Sequence, residues 1–138
     1  MPATVEHGAA LPLALGTAQL GLTYGVANRT GRPDAAAAAA IVAEAWRGGI
    51  RGFDTAQAYG DSEAALGAAL RAQGLVGDAR VITKPDPASD PDAARAGLRA
   101  SLARLGVPAL WGALLHREGR LDEWAAGWAP LFRAARAE

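Results

Sequence analysis

Short apolar segments alternate with longer amphipathic segments along most of the chain. The apolar segments lie at 13–16, 50–53, 81–83 and 109–115. Each is followed by a stretch rich in polar residues or glycine and then by residues of high helix propensity. This alternation predicts four strands, each followed by a helix.

The first three predicted helices carry recognisable start and stop signals. Aspartate or serine favours the N-cap position, proline is tolerated in the first turn, and glycine commonly ends a helix. The second helix should bury Ala65, Leu66, Ala69 and Leu70, and the third should bury Leu98, Leu102 and Leu105. The paired signals are Asp34 with Gly48, Asp61–Ser62 with Gly74, and Asp90–Pro91 with Gly106.

Three further segments complete the predicted order of elements. Residues 17–31, rich in glycine, threonine and asparagine, should form a loop, and 109–115 should form a strand buried on both faces. Residues 121–137 should be mostly helical around Trp124, Trp128 and Phe132, with Pro130 kinking or shortening the helix. Repeated strand–helix units indicate an α/β fold with a parallel sheet, either open and doubly wound or closed into a barrel.

Composition narrows the function classes without naming a partner. A chain of 138 residues with 51% hydrophobic content suits a single domain spanning 1–138. Its 14 basic and 14 acidic residues create no net field for nucleic acid or a charged membrane surface. Without cysteine, a signal-peptide pattern or a spanning apolar segment, we expect a cytoplasmic protein without disulfides or membrane insertion.

Four chemically active side chains fall at equivalent places in the predicted sheet. Asp54 ends the second strand and Tyr59 follows it, while Lys84 ends the third strand and His116 the fourth. Parallel α/β folds place their chemistry at these carboxyl ends. Singly, each residue has an ordinary structural role available, as a cap, a packed ring, a solvated ammonium or a bonded core histidine. Together on one rim, and with Lys84 the only lysine in the chain, they favour a functional site.

Such a group can donate a proton to an oxygen that becomes negative as a hydride reaches its carbon. An unassisted phenol is a weak acid, and a neighbouring ammonium makes it a stronger one. A carboxylate paired with that ammonium holds it charged and in place, and an imidazole can hydrogen-bond the same substrate oxygen. The pattern therefore indicates carbonyl reduction and its reverse, alcohol oxidation.

The segment GFDTAQAYGDSE at 52–63 resembles the signature of the aldo/keto reductase family, in which Asp and Tyr lie five apart and Ser-Glu opens the next helix. Residues 15–21 resemble the family's first strand, 81–84 its third, and 98–107 its third helix leading to a strand that ends in histidine. One departure is Trp111, where the family usually has a structural aspartate five residues before the histidine.

The resemblance implies a parallel (β/α) barrel of TIM type, of which this chain holds the first four β/α units, a half-barrel. It implies reduction of small aldehydes or ketones with NADPH, sometimes NADH, and no metal. Tyr59 would be the acid, with Lys84 and Asp54 tuning it and His116 orienting the substrate. Gly16, Thr17 and Asp54 would lie near the nicotinamide and its ribose.

A complete barrel of this type needs about 250 residues, and its phosphate site commonly lies after strands seven and eight. We therefore expect poor cofactor affinity, and self-association or pairing with a C-terminal half to cover two open edges. The alternative function is an inactive half-barrel that acts as an interaction or regulatory module.

Two nucleotide-binding motifs would indicate a different function. Residues 16–23 have the glycine spacing of a phosphate-binding P-loop, but Leu22 stands where the lysine must be. The glycine fingerprint of a Rossmann dehydrogenase is missing from the sequence. Both classes are therefore disfavoured.

Overall fold

The computed structural model describes residues 13–123 and 127–135. Strands and helices alternate through this region, and a six-residue 3₁₀ helix, Glu118–Glu123, follows the last strand. The other elements, in chain order, are β1 (Ala14–Gly16), α1 (Ala18–Gly21), α2 (Ala35–Arg47), β2 (Gly52–Asp54), α3 (Ser62–Ala72), β3 (Arg80–Thr83), α4 (Pro91–Leu105), β4 (Gly112–Ala113) and α5 (Ala129–Ala135).

The four strands form one parallel sheet in the order β1-β2-β3-β4, as the alternating pattern predicts. Side chains of a strand alternate between its two faces. One cross-strand row, Leu15, Phe53 and Val81, faces the helices, and Phe53 and Val81 are fully buried. The opposite row joins Gly16, Asp54 and Ile82, all of them partly or fully exposed. The sheet therefore has a helix-covered face and an open face.

The main core lies between the sheet and helices α2, α3 and α4. Apolar side chains spaced three or four residues apart on each helix meet Phe53 and Val81, because this spacing brings them to one face. The predicted faces of α3 and α4 are confirmed, with Ala65 and Leu102 at their half-buried margins. The fully buried helical members of this core are Val42, Leu66, Leu70 and Leu105.

Helices α2 and α4 begin and end as the sequence predicts. The Asp34 carboxylate accepts a hydrogen bond from the Ala37 amide, and the Asp90 carboxylate accepts one from the Ala93 amide, both at 2.8 Å. Gly106 ends α4 in the left-handed conformation, with φ +68°. These side-chain caps satisfy amides that have no partner inside the helix.

The start of α3 is different, since Asp61 makes no side-chain hydrogen bond to the helix. Its carboxylate instead pairs with Arg32 at 2.6 Å across the surface. Ser62 is already inside the helix, and its hydroxyl donates to the Thr17 carbonyl oxygen at 2.7 Å. Asp61 is therefore the N-cap residue, as predicted, but no side-chain cap forms, because both side chains bond to residues remote in the sequence.

Two segments at the ends of the described region also depart from prediction. The loop predicted at 17–31 begins with the short helix α1, whose Leu20 packs into the core. The strand predicted at 109–115 is reduced to Gly112–Ala113, and none of its residues is buried. In the described part of the sheet it is an edge strand paired with β3 alone, so the two-sided burial that we expected is wrong.

The C-terminal segment is helical through its described residues, 121–123 and 127–135, as predicted, but the type of helix changes along it. The 3₁₀ helix ends at Glu123, and α5 begins at Ala129 with Pro130 in its first turn, where proline is tolerated. Trp128 is buried with Ala94 and Leu131 in a second apolar cluster, and Phe132 packs against it. Trp124 lies outside the described residues. In the region that the structure describes, no helix is long and apolar enough to cross a membrane.

Candidate active site

The carboxyl end of the sheet carries an ion pair between Asp54 and Lys84. Asp54 is the last residue of β2 and Lys84 directly follows β3, so both side chains leave the same edge of adjacent parallel strands. The Lys84 ammonium donates to Asp54 Oδ1 at 2.6 Å and to the Thr55 carbonyl oxygen at 2.9 Å. The Lys84 side chain is 13% exposed and that of Asp54 is 30% exposed, so water screens the pair less than it would on the surface.

Tyr59 lies against this pair, and His116 lies against Tyr59. Tyr59 sits in the loop between β2 and α3, and its carbonyl oxygen accepts the Ser62 amide at 3.1 Å. The Lys84 ammonium lies 5.0 Å from the centroid of the Tyr59 ring, and the His116 ring meets that ring edge-on with centroids 5.8 Å apart. The four residues predicted from the rim positions thus form one cluster.

One polar atom of the cluster has no partner. His116 Nδ1 is buried and makes no hydrogen bond to any residue in 13–123 or 127–135. A buried ring nitrogen left without a partner costs about 1–3 kcal/mol. A hydrogen-bonding group bound beside this ring could remove that cost.

A cleft of about 280 Å³ opens beside the cluster, between the end of β1 and the Tyr59 loop. At Gly16 a side-chain Cβ would meet no atom within 4 Å, so this wall of the cleft is open. Thr17 is 1% exposed, and its hydroxyl already donates to the Asp54 carbonyl oxygen at 2.9 Å. The cleft is lined by Gly16, Thr17, Ala18, Gln19, Tyr24, Asp54 and Tyr59.

The polar contacts beneath the cluster were not predicted from the sequence. The Ser62 hydroxyl accepts a hydrogen bond from the Thr55 hydroxyl at 3.1 Å and lies 2.9 Å from the Thr17 hydroxyl oxygen, so it links β1, β2 and α3. Glu63 is 2% exposed and contacts β3 and α4. The available signal was the Ser-Glu pair that opens α3, although its partners Thr17, Thr83 and Arg104 lie 20 to 45 residues away. Within the described ranges, no three acidic or histidine side chains cluster as metal ligands would.

The model of the aldo/keto reductase family matches residues 12–129. The chain belongs to this family. The match contains the whole cluster and all four strands, and it confirms the family indicated by the signature at 52–63. Among curated proteins, none matches the sequence significantly.

Solved aldo/keto reductase structures share the fold. Two structures from Pseudomonas aeruginosa, both assigned to the aldo-keto reductases, are 31% and 30% identical to this chain, with TM-scores of 0.77 and 0.75. Each match covers 93% of this chain but only 52% and 50% of the other. An aldo/keto reductase from Brucella melitensis is 23% identical over 89% of this chain and 45% of its own, with a TM-score of 0.62. This aldo/keto reductase chain therefore spans about half the length of its structural neighbours, and its fold is the first four units of their TIM-type barrel.

Proposed function

We propose that this chain carries the catalytic residues of an NAD(P)H-dependent reductase of small aldehydes or ketones, with Tyr59 as proton donor. The observation that carries the proposal is the position of the Lys84 ammonium, 5.0 Å from the Tyr59 ring centroid and paired with Asp54. A positive charge beside a phenol stabilises the phenolate that remains after proton transfer. Asp54 holds that charge in place, and membership of an oxidoreductase family supports the reaction class.

The residues of the cluster divide the work around one substrate oxygen. Tyr59 gives its phenolic proton to that oxygen while the carbonyl carbon receives a hydride, so the C=O double bond becomes an alcohol. His116, edge-on to the Tyr59 ring, orients the oxygen by a hydrogen bond. In the reverse direction the Tyr59 phenolate takes the alcohol proton. No charge is left on the substrate at either end of the reaction.

The cleft at Gly16 suits the nicotinamide end of the cofactor, which would supply the hydride. Gly16 leaves space for a flat ring, and the Asp54 carboxylate, at 30% exposure, can accept a hydrogen bond from a ribose hydroxyl. The Thr17 hydroxyl is engaged, so Thr17 would contribute through its backbone or by shape. Complete ligand pockets usually enclose about 300–1,000 Å³, whereas this cleft has about 280 Å³. The phosphates and adenine therefore need binding residues from the other half of a barrel.

The test is a chimaera that joins this chain to the C-terminal half of one of the Pseudomonas aeruginosa structures, assayed for NADPH oxidation with a panel of aldehydes. Tyr59→Phe should lower kcat about 10²–10⁴-fold, because it removes the general acid, and should leave NADPH binding nearly unchanged. Tyr24→Phe removes the other phenol that lines the cleft and should retain turnover. If turnover were lost in Tyr24→Phe but kept in Tyr59→Phe, Tyr59 would not be the proton donor.

A further inference from the structure

Glu63 is a buried carboxylate to which the proposed reaction gives no role. It lies in the first turn of α3 and is 2% exposed. Its Oε1 accepts a hydrogen bond from the Thr83 hydroxyl at 2.6 Å, and its Oε2 accepts one from Arg104 Nε at 2.7 Å. A buried charge is tolerated when it is paired and hydrogen-bonded, as here. These bonds tie the start of α3 to the end of β3 and to α4.

The contact with Thr83 is next to Lys84 in the chain. Thr83 is the last residue of β3 and is fully buried, so its side chain cannot leave Glu63 without disturbing the strand end. Lys84 then turns in the opposite direction, toward Asp54. Glu63 thus fixes the residue that directly precedes Lys84 in the chain.

A second route runs from Glu63 to the residues after Lys84. Arg104 Nη2 donates to the Ser101 hydroxyl at 3.2 Å, and Gln57 Nε2 donates to the same oxygen at 3.0 Å. The Gln57 amide oxygen accepts the Asp86 backbone N–H at 2.9 Å. The backbone N–H of Gln57 donates to the Lys84 carbonyl oxygen at 3.1 Å. A connected set of hydrogen bonds that begins at the Glu63 carboxylate therefore reaches the residues on both sides of Lys84.

We propose that Glu63 is a positioning residue that sets where the Lys84 ammonium lies relative to Asp54 and Tyr59. The proposal rests on the proposed function, in which that ammonium assists Tyr59. A lysine side chain is long and flexible, so its reach depends on a fixed backbone at its base. Gln57 is the second positioning residue and acts on the carboxyl side of Lys84.

The chain offers a direct probe, because Lys84 is its only lysine. An amine-acylating reagent can modify only Lys84 and the N-terminal amine, and mass spectrometry distinguishes the two. In the wild-type chain, Lys84 should react slowly because its ammonium is paired and 13% exposed. In Glu63→Gln, the rate at Lys84 relative to the N-terminal amine should rise several-fold. Glu44→Gln, which removes an exposed carboxylate paired with Arg47, is the matched control and should leave the rate unchanged.

Three further variants keep the proposal open to refutation if Glu63→Gln folds poorly. Thr83→Val removes the hydroxyl that donates a hydrogen bond to Glu63, so it should raise the reactivity of Lys84. Thr83→Ser keeps a hydroxyl and should retain the wild-type rate. Gln57→Ala, at a half-buried position, should raise it as well. If the role of Glu63 were purely structural, Glu63→Gln would lower the unfolding temperature and leave the reactivity of Lys84 in the folded chain unchanged. That result would overturn the proposal.

The same variants in the chimaera distinguish this proposal from the proposed function. Glu63→Gln should lower kcat more than it changes KM, since it misplaces a charge that acts during proton transfer. If Tyr59→Phe keeps its turnover while Lys84 reactivity still rises in Glu63→Gln, the proposed function fails and the positioning of Lys84 stands. If Tyr59→Phe loses its turnover but Lys84 reactivity does not respond, the positioning fails alone.

Discussion

At the scale of single residues, the candidate site depends on the ion pair between the Lys84 ammonium and the Asp54 carboxylate. Lys84 is mostly buried, and burial disfavours a charged amine unless a partner compensates. Asp54 supplies that partner at 2.6 Å, and the Thr55 carbonyl oxygen accepts a second hydrogen bond. These contacts hold the ammonium close to the Tyr59 ring.

Replacement of Lys84 by methionine tests this dependence. Met keeps much of the side-chain length but removes the charge, so nothing would stabilise the Tyr59 phenolate. In the chimaera we expect kcat to fall about 10²-fold or more and the pH dependence of kcat to change. Kinetics at several pH values would measure both effects. A pH profile identical to wild type would contradict the role proposed for Lys84.

The cluster could be predicted from sequence because strand ends in a parallel sheet share one edge. Asp54, Lys84 and His116 each follow an apolar run, and that position is readable without coordinates. The support beneath them was not predictable in the same way. Ser62 bonds to Thr17, and Glu63 bonds to Arg104, pairings over 45 and 41 residues that leave no local pattern.

At the scale of elements, α3 is the helix that connects the site to the rest of the fold. Its first turn supplies Ser62 and Glu63, and its middle packs closely on the end of α4. Gly67 makes that approach possible, since a Cβ there would lie 2.4 Å from the Leu105 carbonyl oxygen and 2.7 Å from that of Arg104. Both are backbone atoms and cannot rotate away.

Gly67→Ala should therefore destabilise the chain by about 1–3 kcal/mol, the usual range for overpacking. It should also disturb Arg104, and through it Glu63, because the helices must separate. Gly77→Ala is the matched control: a Cβ there meets nothing within 4 Å, and the change should stay within about 0.5 kcal/mol. Urea unfolding of the two variants measures the difference. Equal stability would show that α3 and α4 are not held at this distance.

The pattern of elements was predicted best where caps and periodicity agree. Helices α2 and α4 match their predicted starts because Asp34 and Asp90 act on their own helices. The prediction for β4 was wrong in extent. Apolar content at 109–115 indicated two-sided burial, but only Gly112–Ala113 forms a strand, and in the described sheet it pairs with β3 alone and stays partly exposed.

At the scale of the molecule, the described sheet has open edges at β1 and β4. Large apolar side chains lie exposed beside both, with Leu13 next to β1 and Trp111 and Leu114 flanking β4. The open face is only partly apolar, since the row across it contains Gly16 and Asp54. The unpaired edges, more than the open face, therefore favour pairing with another chain.

The purified 138-residue chain should consequently self-associate and bind NADPH weakly. Light scattering and fluorescence titration measure these two properties. Leu114→Lys places a charge beside the open β4 edge and should reduce association, because edge charges oppose strand pairing. Ile41→Lys alters an exposed apolar residue on α2 and should not. A stable monomer that binds NADPH at micromolar concentration and reduces an aldehyde would contradict this expectation.

The consecutive strand order also bears on how the polypeptide acquires its shape during synthesis. Ala14 pairs with Gly52, Gly52 with Arg80, and Ile82 with Gly112, so each strand after the first pairs with the strand made just before it. No pairing within the described sheet has to wait for a distant segment, and closing short loops costs less entropy than closing long ones. The sheet can grow one strand at a time behind the ribosome. The Asp54–Lys84 pair can then form as soon as the third strand has emerged.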